Sequence, residues 1–200
     1  MEPTNNERTV ESYELIAEDY ASKTEDGHVL TAGLTQLANA VPGGHVLEIG
    51  SGPGWDADTL EAAGLTVRRT DITQAFINLQ RARGKTVDRL DAISDELGGP
   101  YDAVVSLHVL QHVEPDNFTL VLSKIATSLR PGGRFLVSIP VGEGITWEEG
   151  ESGNKYFRVL RTEDELIADL AAVGLSMEWI ERSAHEDGWV CILTQRSDVQ

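Results

Sequence analysis

A glycine-rich turn between two apolar segments most limits what this chain can fold into. In the stretch His45–Asp71, an apolar run leads into Gly50, Gly52 and Gly54, which are spaced two residues apart. Glycine in such a turn lets the backbone approach a ligand where a Cβ atom would clash. A helix-like segment, a second strand-like run and the acid Asp71 complete the stretch. This order predicts half of a nucleotide-binding βαβ unit.

The glycine spacing separates several nucleotide-binding classes. A dinucleotide site has the pattern G-x-G-x-x-G, and Gly50 and Gly52 fit it, but Trp55 stands at the third glycine position. The chain instead reads E-x-G-x-G-x-G from Glu48 to Gly54. It also lacks the G-x-x-x-x-G-K-[ST] phosphate loop. The turn therefore speaks against a nicotinamide cofactor, which stays open as a less favoured alternative, and against ATP hydrolysis.

Strand and helix patterns alternate along the rest of the chain. Tyr101–Leu107 is a continuous apolar run, typical of a central parallel strand covered on both faces. Leu175–Glu181 and Trp189–Thr194 are separated by a short polar turn, so we expect them to pair antiparallel. The predicted fold is α/β: a doubly wound, seven-stranded, mostly parallel Rossmann-like sheet with an antiparallel C-terminal strand pair and N-terminal helices.

One domain is expected over residues 1–200, a length that allows a single sizeable core. We expect a helical lid at 1–44, a cofactor-binding core at 45–139, and a substrate-side loop with a helix and hairpin at 140–200. Within the last part, Pro140–Asn154 is rich in Gly and Glu and predicts an irregular loop.

Composition excludes several functions. The net charge is −17, from 33 acidic and 16 basic residues, and no concentrated basic segment is present, which opposes nucleic-acid binding. A single cysteine, Cys191, excludes an intramolecular disulfide and cysteine-rich metal sites. No signal pattern and no apolar run of membrane-spanning length are present, so we expect a soluble cytoplasmic protein with no membrane association.

From Tyr13 onward the chain resembles the class I S-adenosylmethionine-dependent methyltransferases, in the style of their small-molecule branch. The resemblance is carried by VLEIGSGPG at 46–54, Asp71 after the second strand, Leu90-Asp91-Ala92 after the third, YDAVVSLHVLQHV at 101–113, RPGGRFLVSIP at 130–140, and the final pair of strands. The N-P-P-Y type of motif is absent after the fourth strand, where Ser106-Leu107-His108 stands. The resemblance implies S-adenosyl-L-methionine as cofactor.

The resemblance also implies which residues contact that cofactor. Gly50, Ser51 and Gly52 would hold its methionine end, and Glu48 would orient the turn. Asp71 would bind both ribose hydroxyls, the alternative being an exposed helix cap.

Further along the chain, Ile72 would lie against the adenine. Asp91 would accept a hydrogen bond from the adenine amino group, with Ala92 beside it. Leu107 and His108 would face the sulfonium. From its helical spacing, Tyr20 on the N-terminal lid is expected to add an aromatic contact.

Methyl transfer from a sulfonium is an in-line displacement that requires mainly binding and orientation. A base is needed only where the acceptor loses a proton, so a dedicated catalytic residue need not exist. His108 is the candidate base, because the fourth strand would aim it at the cleft. His112, four residues later, is interpreted as a packing or capping residue, and no metal site is predicted.

Aromatic residues are the candidates for the acceptor pocket. Tyr13 and Tyr20 would come from the N-terminal helix, and Trp147 and Tyr156, with the neighbouring Phe157 and Arg158, from the segment after strand five. Packing is the alternative for each of them. Trp189 and Cys191 are expected in the core.

These observations predict an enzyme that transfers the methyl group of S-adenosylmethionine to an oxygen, nitrogen or carbon atom of a small molecule. One alternative is a regulatory protein that binds the cofactor without catalysis, and the other is a nicotinamide-dependent oxidoreductase. The acceptor and the oligomeric state stay open.

Overall fold

The computed structural model describes residues 2–25, 31–150, 153–183 and 188–197. Its strands, β1 to β9 in chain order, are His45–Ile49, Thr66–Asp71, Val87–Arg89, Tyr101–Leu107, Leu129–Pro140, Gly144–Glu149, Lys155–Leu160, Leu175–Arg182 and Trp189–Arg196. Its helices, α1 to α6, are Asn5–Thr24, Thr31–Ala40, Trp55–Ala62, Gln74–Ala82, Pro115–Ser128 and Glu163–Ala172. A short 3-10 helix, Leu110–His112, precedes α5.

The main sheet contains seven of the described strands in the order β3-β2-β1-β4-β5-β9-β8. Strands β1 to β5 pair in parallel, whereas β9 lies antiparallel between β5 and β8. The predicted fold is thereby confirmed, including the antiparallel C-terminal pair. Strand order reverses between β1 and β4, and open α/β sheets bind their ligands at the carboxyl ends of the strands beside such a reversal.

Apolar clusters cover both faces of the sheet, which explains the unbroken apolar run of β4. The neighbours Val104 and Val105 are both buried, and they belong to opposite clusters. Val104 packs in the cluster that contains Phe118 of α5, and Val105 packs in the cluster that contains Leu34 of α2. Successive strand residues point to opposite faces, so a strand covered on both sides needs apolar residues at every position.

The two N-terminal helices lie in different places. Helix α1 packs against α4 and β7, next to the carboxyl ends of the strands, while α2 packs against β5 and β9. A Cβ atom on Gly33 of α2 would come within 2.8 Å of Cys191 Sγ, so this helix sits directly on the sheet. Cys191 is buried, as expected.

The prediction of an irregular loop over Pro140–Asn154 is wrong in its central part. Strand β6 lies within it and forms a two-stranded antiparallel sheet with β7. Every residue of β6 is exposed, and its only alternating apolar residues are Ile145 and Trp147, a pair too short to predict a strand. Its partner β7 does alternate, with buried Phe157 and Val159. We call β6 and β7 together the hairpin.

In the described ranges, no helix has both the length and the apolar composition needed to cross a bilayer.

Candidate functional site

The glycine turn follows β1 at the strand-order reversal. Gly50 and Gly52 have φ values of +70° and +50°, in the left-handed region that favours glycine. A Cβ atom on Gly50 would lie 2.4 Å from Val109 Cγ2, so the close approach of Val109 requires glycine there as well. At Gly52, a Cβ would meet no atom of the described residues within 4 Å. The backbone at Gly52 therefore faces open space in which a ligand could lie.

Asp71 ties the end of β2 to this turn. Its buried carboxylate accepts hydrogen bonds from the backbone N–H of Gly52 at 2.7 Å and of Thr73 at 2.8 Å. Burial raises the pKa of this carboxyl, and the backbone donors act in the opposite direction. A carboxylate has about four acceptor positions, so two hydrogen bonds leave room for a ligand. Ile72, beside it, is half-buried.

A buried arginine braces the same turn from β2. Arg69 Nη1 donates to the Gly54 carbonyl and to Gln80 Oε1, and Arg69 Nη2 donates to Asp58 at 2.6 Å. Gln80 Nε2 in turn donates to Ser51 Oγ at 2.7 Å and to the Gly52 carbonyl at 2.8 Å. Sequence reasoning missed both side chains. An arginine at an inward position of a strand was the available signal, but its partners lie on two separate helices.

Glu48 is a buried carboxyl with an open hydrogen-bonding position. Among the described residues, no group hydrogen-bonds to its Oε2. Burial raises its pKa well above the usual range, and the negative charge of Asp56 adds to this effect. Buried polar atoms nearly always have partners, so an unpartnered one beside the glycine turn suits an N–H group of a ligand.

The other predicted cofactor residues lie along the same edge of the sheet. Asp91, after β3, accepts hydrogen bonds from Ile93 N–H at 2.9 Å and Ser94 Oγ at 2.8 Å, so its carboxylate holds a local turn. Ala92 is half-buried, and its carbonyl accepts from Lys124 Nζ. Leu107, at the end of β4, is buried.

A cavity of about 340 Å³ opens beside this edge, between α1, the end of β4, the 3-10 helix and the hairpin. Five of the predicted residues line it: Tyr13, Tyr20, His108, Tyr156 and Arg158. His112 lines it as well. We call this space the acceptor cavity.

The pleat of the hairpin decides which of its residues reach the cavity. Tyr156, Arg158 and Glu148 share one face and line the cavity. Trp147 and Phe157 are paired in register on the other face, with ring centroids 5.7 Å apart. Trp147 and Phe157, predicted for the acceptor pocket, therefore do not line this cavity, because strand neighbours point to opposite sides.

Trp189 was expected in the core but lies on the cavity wall. Its ring is 4.3 Å from the His108 ring, measured between centroids, and the Arg158 guanidinium lies 5.1 Å from its ring centroid. Trp189 pairs with Pro140, the last residue of β5, so the start of β9 reaches the carboxyl edge of the parallel strands. That antiparallel register was the signal that could have placed it at the cleft.

The two cavity histidines differ in how they are held. His108 has a φ of +58°, unusual for a residue with a side chain, and its backbone N–H donates to Ser138 Oγ at 2.9 Å. No hydrogen bond to its imidazole is formed within the described part of the chain. Burial lowers its pKa to about 4, with a further contribution from Arg158. The strained backbone directs attention to function, since such strain is concentrated at ligand sites.

His112 is held on both ring nitrogens. Nδ1 lies 2.6 Å from the Phe157 carbonyl oxygen, and Nε2 lies 3.2 Å from both Tyr13 Oη and Gln111 Nε2. Burial lowers its pKa to about 4, while the Phe157 carbonyl acts to raise it. The sequence interpretation of His112 as a packing residue missed its place on the cavity wall.

Helix α1 is fastened over the site through α4. The Glu14 carboxylate accepts from the backbone N–H groups of Gln74 at 2.6 Å and Ala75 at 2.8 Å, which caps the first turn of α4. The rings of Tyr13 and Tyr20 pack on Phe76, with centroids 5.8 Å and 5.6 Å away. The first helix therefore covers the space beside Asp71 and Ile72.

Across the described ranges, no group of three or more His, Cys, Asp or Glu side chains is arranged to hold a metal ion.

A family model described as a methyltransferase domain matches residues 20–197. A protein of Mycolicibacterium smegmatis named "Probable S-adenosylmethionine-dependent methyltransferase" is 35% identical over 108 residues, which are 52% of this chain and 41% of that protein. A ubiquinone biosynthesis O-methyltransferase of Xanthomonas campestris is 27% identical over 107 residues, or 50% of this chain and 44% of that protein. The chain thus matches less than half the length of these relatives.

A solved structure of similar fold is the 1,6-didemethyltoxoflavin-N1-methyltransferase of Burkholderia thailandensis, crystallised with 1,6-didemethyltoxoflavin and S-adenosylhomocysteine. Its TM-score is 0.66 at 21% identity, over 95% of this chain and 91% of that one. At this identity the likeness shows the fold.

Proposed function

Because the chain belongs to the family of class I S-adenosylmethionine-dependent methyltransferase domains, we propose that it transfers the methyl group of S-adenosylmethionine to a small-molecule acceptor. The observation that carries the proposal is the joining of Asp71 to the backbone of the glycine turn, beside the open backbone at Gly52. This places a carboxylate, N–H groups and uncovered main chain at the strand-order reversal, where such sheets bind nucleotides.

The residues at the turn suit the chemical groups of the cofactor. The methionine end of S-adenosylmethionine carries a cationic amino group, for which the open Oε2 of Glu48 is a complementary acceptor. In this proposal Gly50, Ser51 and Gly52 approach the same end, and Asp71 accepts from the ribose hydroxyls with its remaining lone pairs.

The remaining groups of the cofactor are assigned along the same edge. Ile72 and Ala92 flank the adenine, and Asp91 accepts from its amino group while keeping its local turn. Leu107 and His108 lie toward the sulfonium, and Tyr20 covers the site from α1.

The cofactor supplies an activated methyl group, and the protein binds, orients and excludes water. Burial keeps His108 neutral at physiological pH, with a pKa of about 4, so its imidazole has a lone pair available. Its role as a base stays a prediction. The closed cover of α1 over the strand edge suits exclusion of water from the reacting groups.

A small molecule is the proposed acceptor. The volume of about 340 Å³ lies in the range of small-ligand pockets, and its wall is rich in aromatic residues. The net charge of −17 speaks against nucleic acid. A single buried cysteine fits a reducing compartment, so we place the reaction in the cytoplasm.

Calorimetric titration with S-adenosylmethionine and S-adenosylhomocysteine tests the first step. Binding of both, abolished in Asp71→Ala, is expected; absence of binding in the folded wild-type protein would refute the proposal. The second step is turnover of labelled cofactor with fractionated small-molecule extracts. Tight binding with no labelled product from any fraction would favour the alternative of a non-catalytic regulatory protein. Family membership argues against the nicotinamide alternative.

A further inference from the structure

A chain of hydrogen-bonding groups starts at the wall of the acceptor cavity and ends at a main-chain carbonyl. Tyr13 Oη lies 3.2 Å from His112 Nε2, and His112 Nδ1 lies 2.6 Å from the Phe157 carbonyl oxygen. Both Tyr13 and His112 line the cavity. The chain joins α1, the 3-10 helix and β7, three elements far apart in sequence.

The proton positions follow from which groups can donate. A carbonyl oxygen only accepts, so His112 Nδ1 must carry the hydrogen and the neutral imidazole must accept at Nε2. Tyr13 Oη and Gln111 Nε2 both lie 3.2 Å from this nitrogen and can donate to it. When Tyr13 donates its O–H to His112, it keeps a lone pair on Oη for another donor. The Phe157 peptide is fixed from its other end as well, because its N–H donates to buried Thr9 Oγ1 at 3.0 Å.

A second side chain on this wall, Gln111, also has an acceptor atom without a hydrogen-bond donor. Gln111 is 4% exposed and lines the cavity, and its Nε2 donates to the His108 carbonyl at 2.7 Å. Its Oε1 has no hydrogen-bond partner in the part of the chain that the structure describes. Two atoms, Tyr13 Oη and Gln111 Oε1, can therefore accept a hydrogen bond from an O–H or N–H group of a ligand.

Aromatic rings in the cavity wall favour a flat ligand. Tyr13 packs on Tyr156 with centroids 4.8 Å apart, and on Tyr20 at 5.7 Å. Trp189 forms another part of the wall, with the Arg158 guanidinium over its ring. Flat rings present stacking faces to a planar ligand, and the charge of Arg158 is already paired with Glu148 at 2.6 Å.

We propose that the acceptor is a hydroxyl group on a planar aromatic ring, and that Tyr13 and His112 take up its proton during methyl transfer. This inference rests on the proposed function and names the substrate class of the same site. An amine can attack with a lone pair it already has and lose its proton afterwards, whereas a hydroxyl gains most from a base that acts during attack. The relay therefore indicates oxygen.

The proposed step conserves atoms and charge. The acceptor oxygen forms a bond to the methyl carbon as the carbon–sulfur bond breaks, and the bonding pair stays on the sulfur, leaving neutral S-adenosylhomocysteine. The acceptor O–H proton passes to Tyr13 Oη while the Tyr13 proton passes to His112 Nε2. His112 leaves the step as a transient imidazolium whose Nδ1–H stays bonded to the Phe157 carbonyl. Because burial lowers the pKa of His112 to about 4 and so disfavours this charge, it returns the proton to solvent after product release.

The first experiment is turnover of S-adenosylmethionine by the full chain with catechol, 8-hydroxyquinoline and 4-nitrocatechol, beside aniline, benzoate and cyclohexanol of similar size. Methylation of the aromatic hydroxyls in preference to the other probes is expected. If the cofactor binds and no aromatic hydroxyl is methylated, or if aniline is preferred, the inference is overturned while the proposed function stands. Failure of cofactor binding would instead remove the proposed function.

The second experiment uses Tyr13→Phe, which keeps the packed ring, and His112→Asn. Each is expected to lower kcat for catechol about 100-fold, the usual contribution of proton transfer. The double variant should be no slower than the single ones, because both residues act in one relay. 4-Nitrocatechol, already ionised at neutral pH, should lose less than 5-fold.

Tyr101→Phe is the matched control, since it removes a tyrosine hydroxyl that lies outside the cavity, where it donates to the Leu97 carbonyl and accepts from Arg68. Its kcat should depend on acceptor ionisation as in the wild type. Equal losses for catechol and 4-nitrocatechol in Tyr13→Phe, or additive losses in the double variant, would show a merely structural role. Circular dichroism and cofactor affinity, measured on each variant, separate these outcomes from misfolding.

Discussion

The glycine turn and the acceptor cavity lie side by side, but they are assembled in opposite ways. The turn is held by groups close in sequence: Asp71 and Gln80 lie 19 and 28 residues from Gly52, to which both bond. The cavity relay joins Tyr13 to His112 across 99 residues and Thr9 to Phe157 across 148. The proposed cofactor site is thus held by contacts that are local in sequence, and the proposed acceptor site by packing of elements that are distant in sequence.

The largest expected effect tests how rigid the turn is. Gly50→Ala should lower the free energy of unfolding by about 3 kcal/mol, because it combines a strained left-handed backbone with the 2.4 Å contact to Val109 Cγ2. Chemical denaturation measures it. The double variant Gly50→Ala/Val109→Ala removes the contact and should recover part of that stability relative to Gly50→Ala. Gly52→Ala is the matched comparison. A Cβ atom at this position would meet open space, so the variant should lower the free energy of unfolding by only about 1 kcal/mol. It should nevertheless weaken cofactor binding. Equal stabilities of the Gly50 and Gly52 variants would contradict the distinction.

Asp71→Ala is expected to weaken S-adenosylmethionine binding about 100-fold, or ~2.7 kcal/mol, since it would remove the two charge-assisted hydrogen bonds that we propose to the ribose. Calorimetry measures the change. Asp88→Ala is the control, because Asp88 is an exposed acid on neighbouring β3 whose side chain pairs with Arg68. Its affinity should match the wild type. Similar losses in both variants would indicate a general charge effect instead of a contact.

The same division explains what the sequence could reveal. The fold followed from apolar runs and glycine stops, which report burial directly, and Glu48, Asp71 and the glycines occupy fixed steps along a short motif. The hairpin escaped prediction because β6 has no buried face. The position of Trp147 could not be predicted, because the side to which it points depends on the register of β6 and β7. The position of Trp189 was predicted wrongly because an apolar residue near a strand end is usually expected in the core. Arg69 and Gln80 need three-dimensional contacts before their role is visible.

Glu48→Gln should change how stability depends on pH. The pKa of Glu48 is raised in the folded protein, mainly by burial, so the folded state holds a proton that the unfolded state has lost above about pH 4.3. Wild-type stability therefore falls as pH rises from that value toward the folded pKa, and a glutamine has no proton to lose. Without cofactor, the variant's Tm should exceed the wild type's near neutral pH, by about 2–4 °C for each kcal/mol gained, and the difference should vanish toward pH 4.

Adding S-adenosylmethionine should reverse the ranking of Glu48→Gln and the wild type, because the amide no longer offers the charged partner that the cofactor's amino group would meet. Thermal unfolding with and without cofactor is the measurement. A variant less stable than the wild type in both conditions would mean that Glu48 supports the fold and has no open position for a ligand.

The smallest effect concerns the cover over the strand edge. Glu14→Gln keeps one acceptor oxygen at the start of α4 but removes the charge that favours a helix N-terminus, which contributes about 0.5–1 kcal/mol. Amide hydrogens of α1 should exchange about two- to five-fold faster, the factor that this energy implies, and S-adenosylhomocysteine should dissociate faster. Glu18→Gln, an exposed acid one helical turn further along α1, is the control. Denaturant unfolding of the sheet should be nearly unchanged in both variants, because the hydrogen bonds of Glu14 hold α1 to α4 at the surface and do not enter the core. Faster exchange in α1 with unchanged ligand dissociation would show that the helix opens without controlling access to the site.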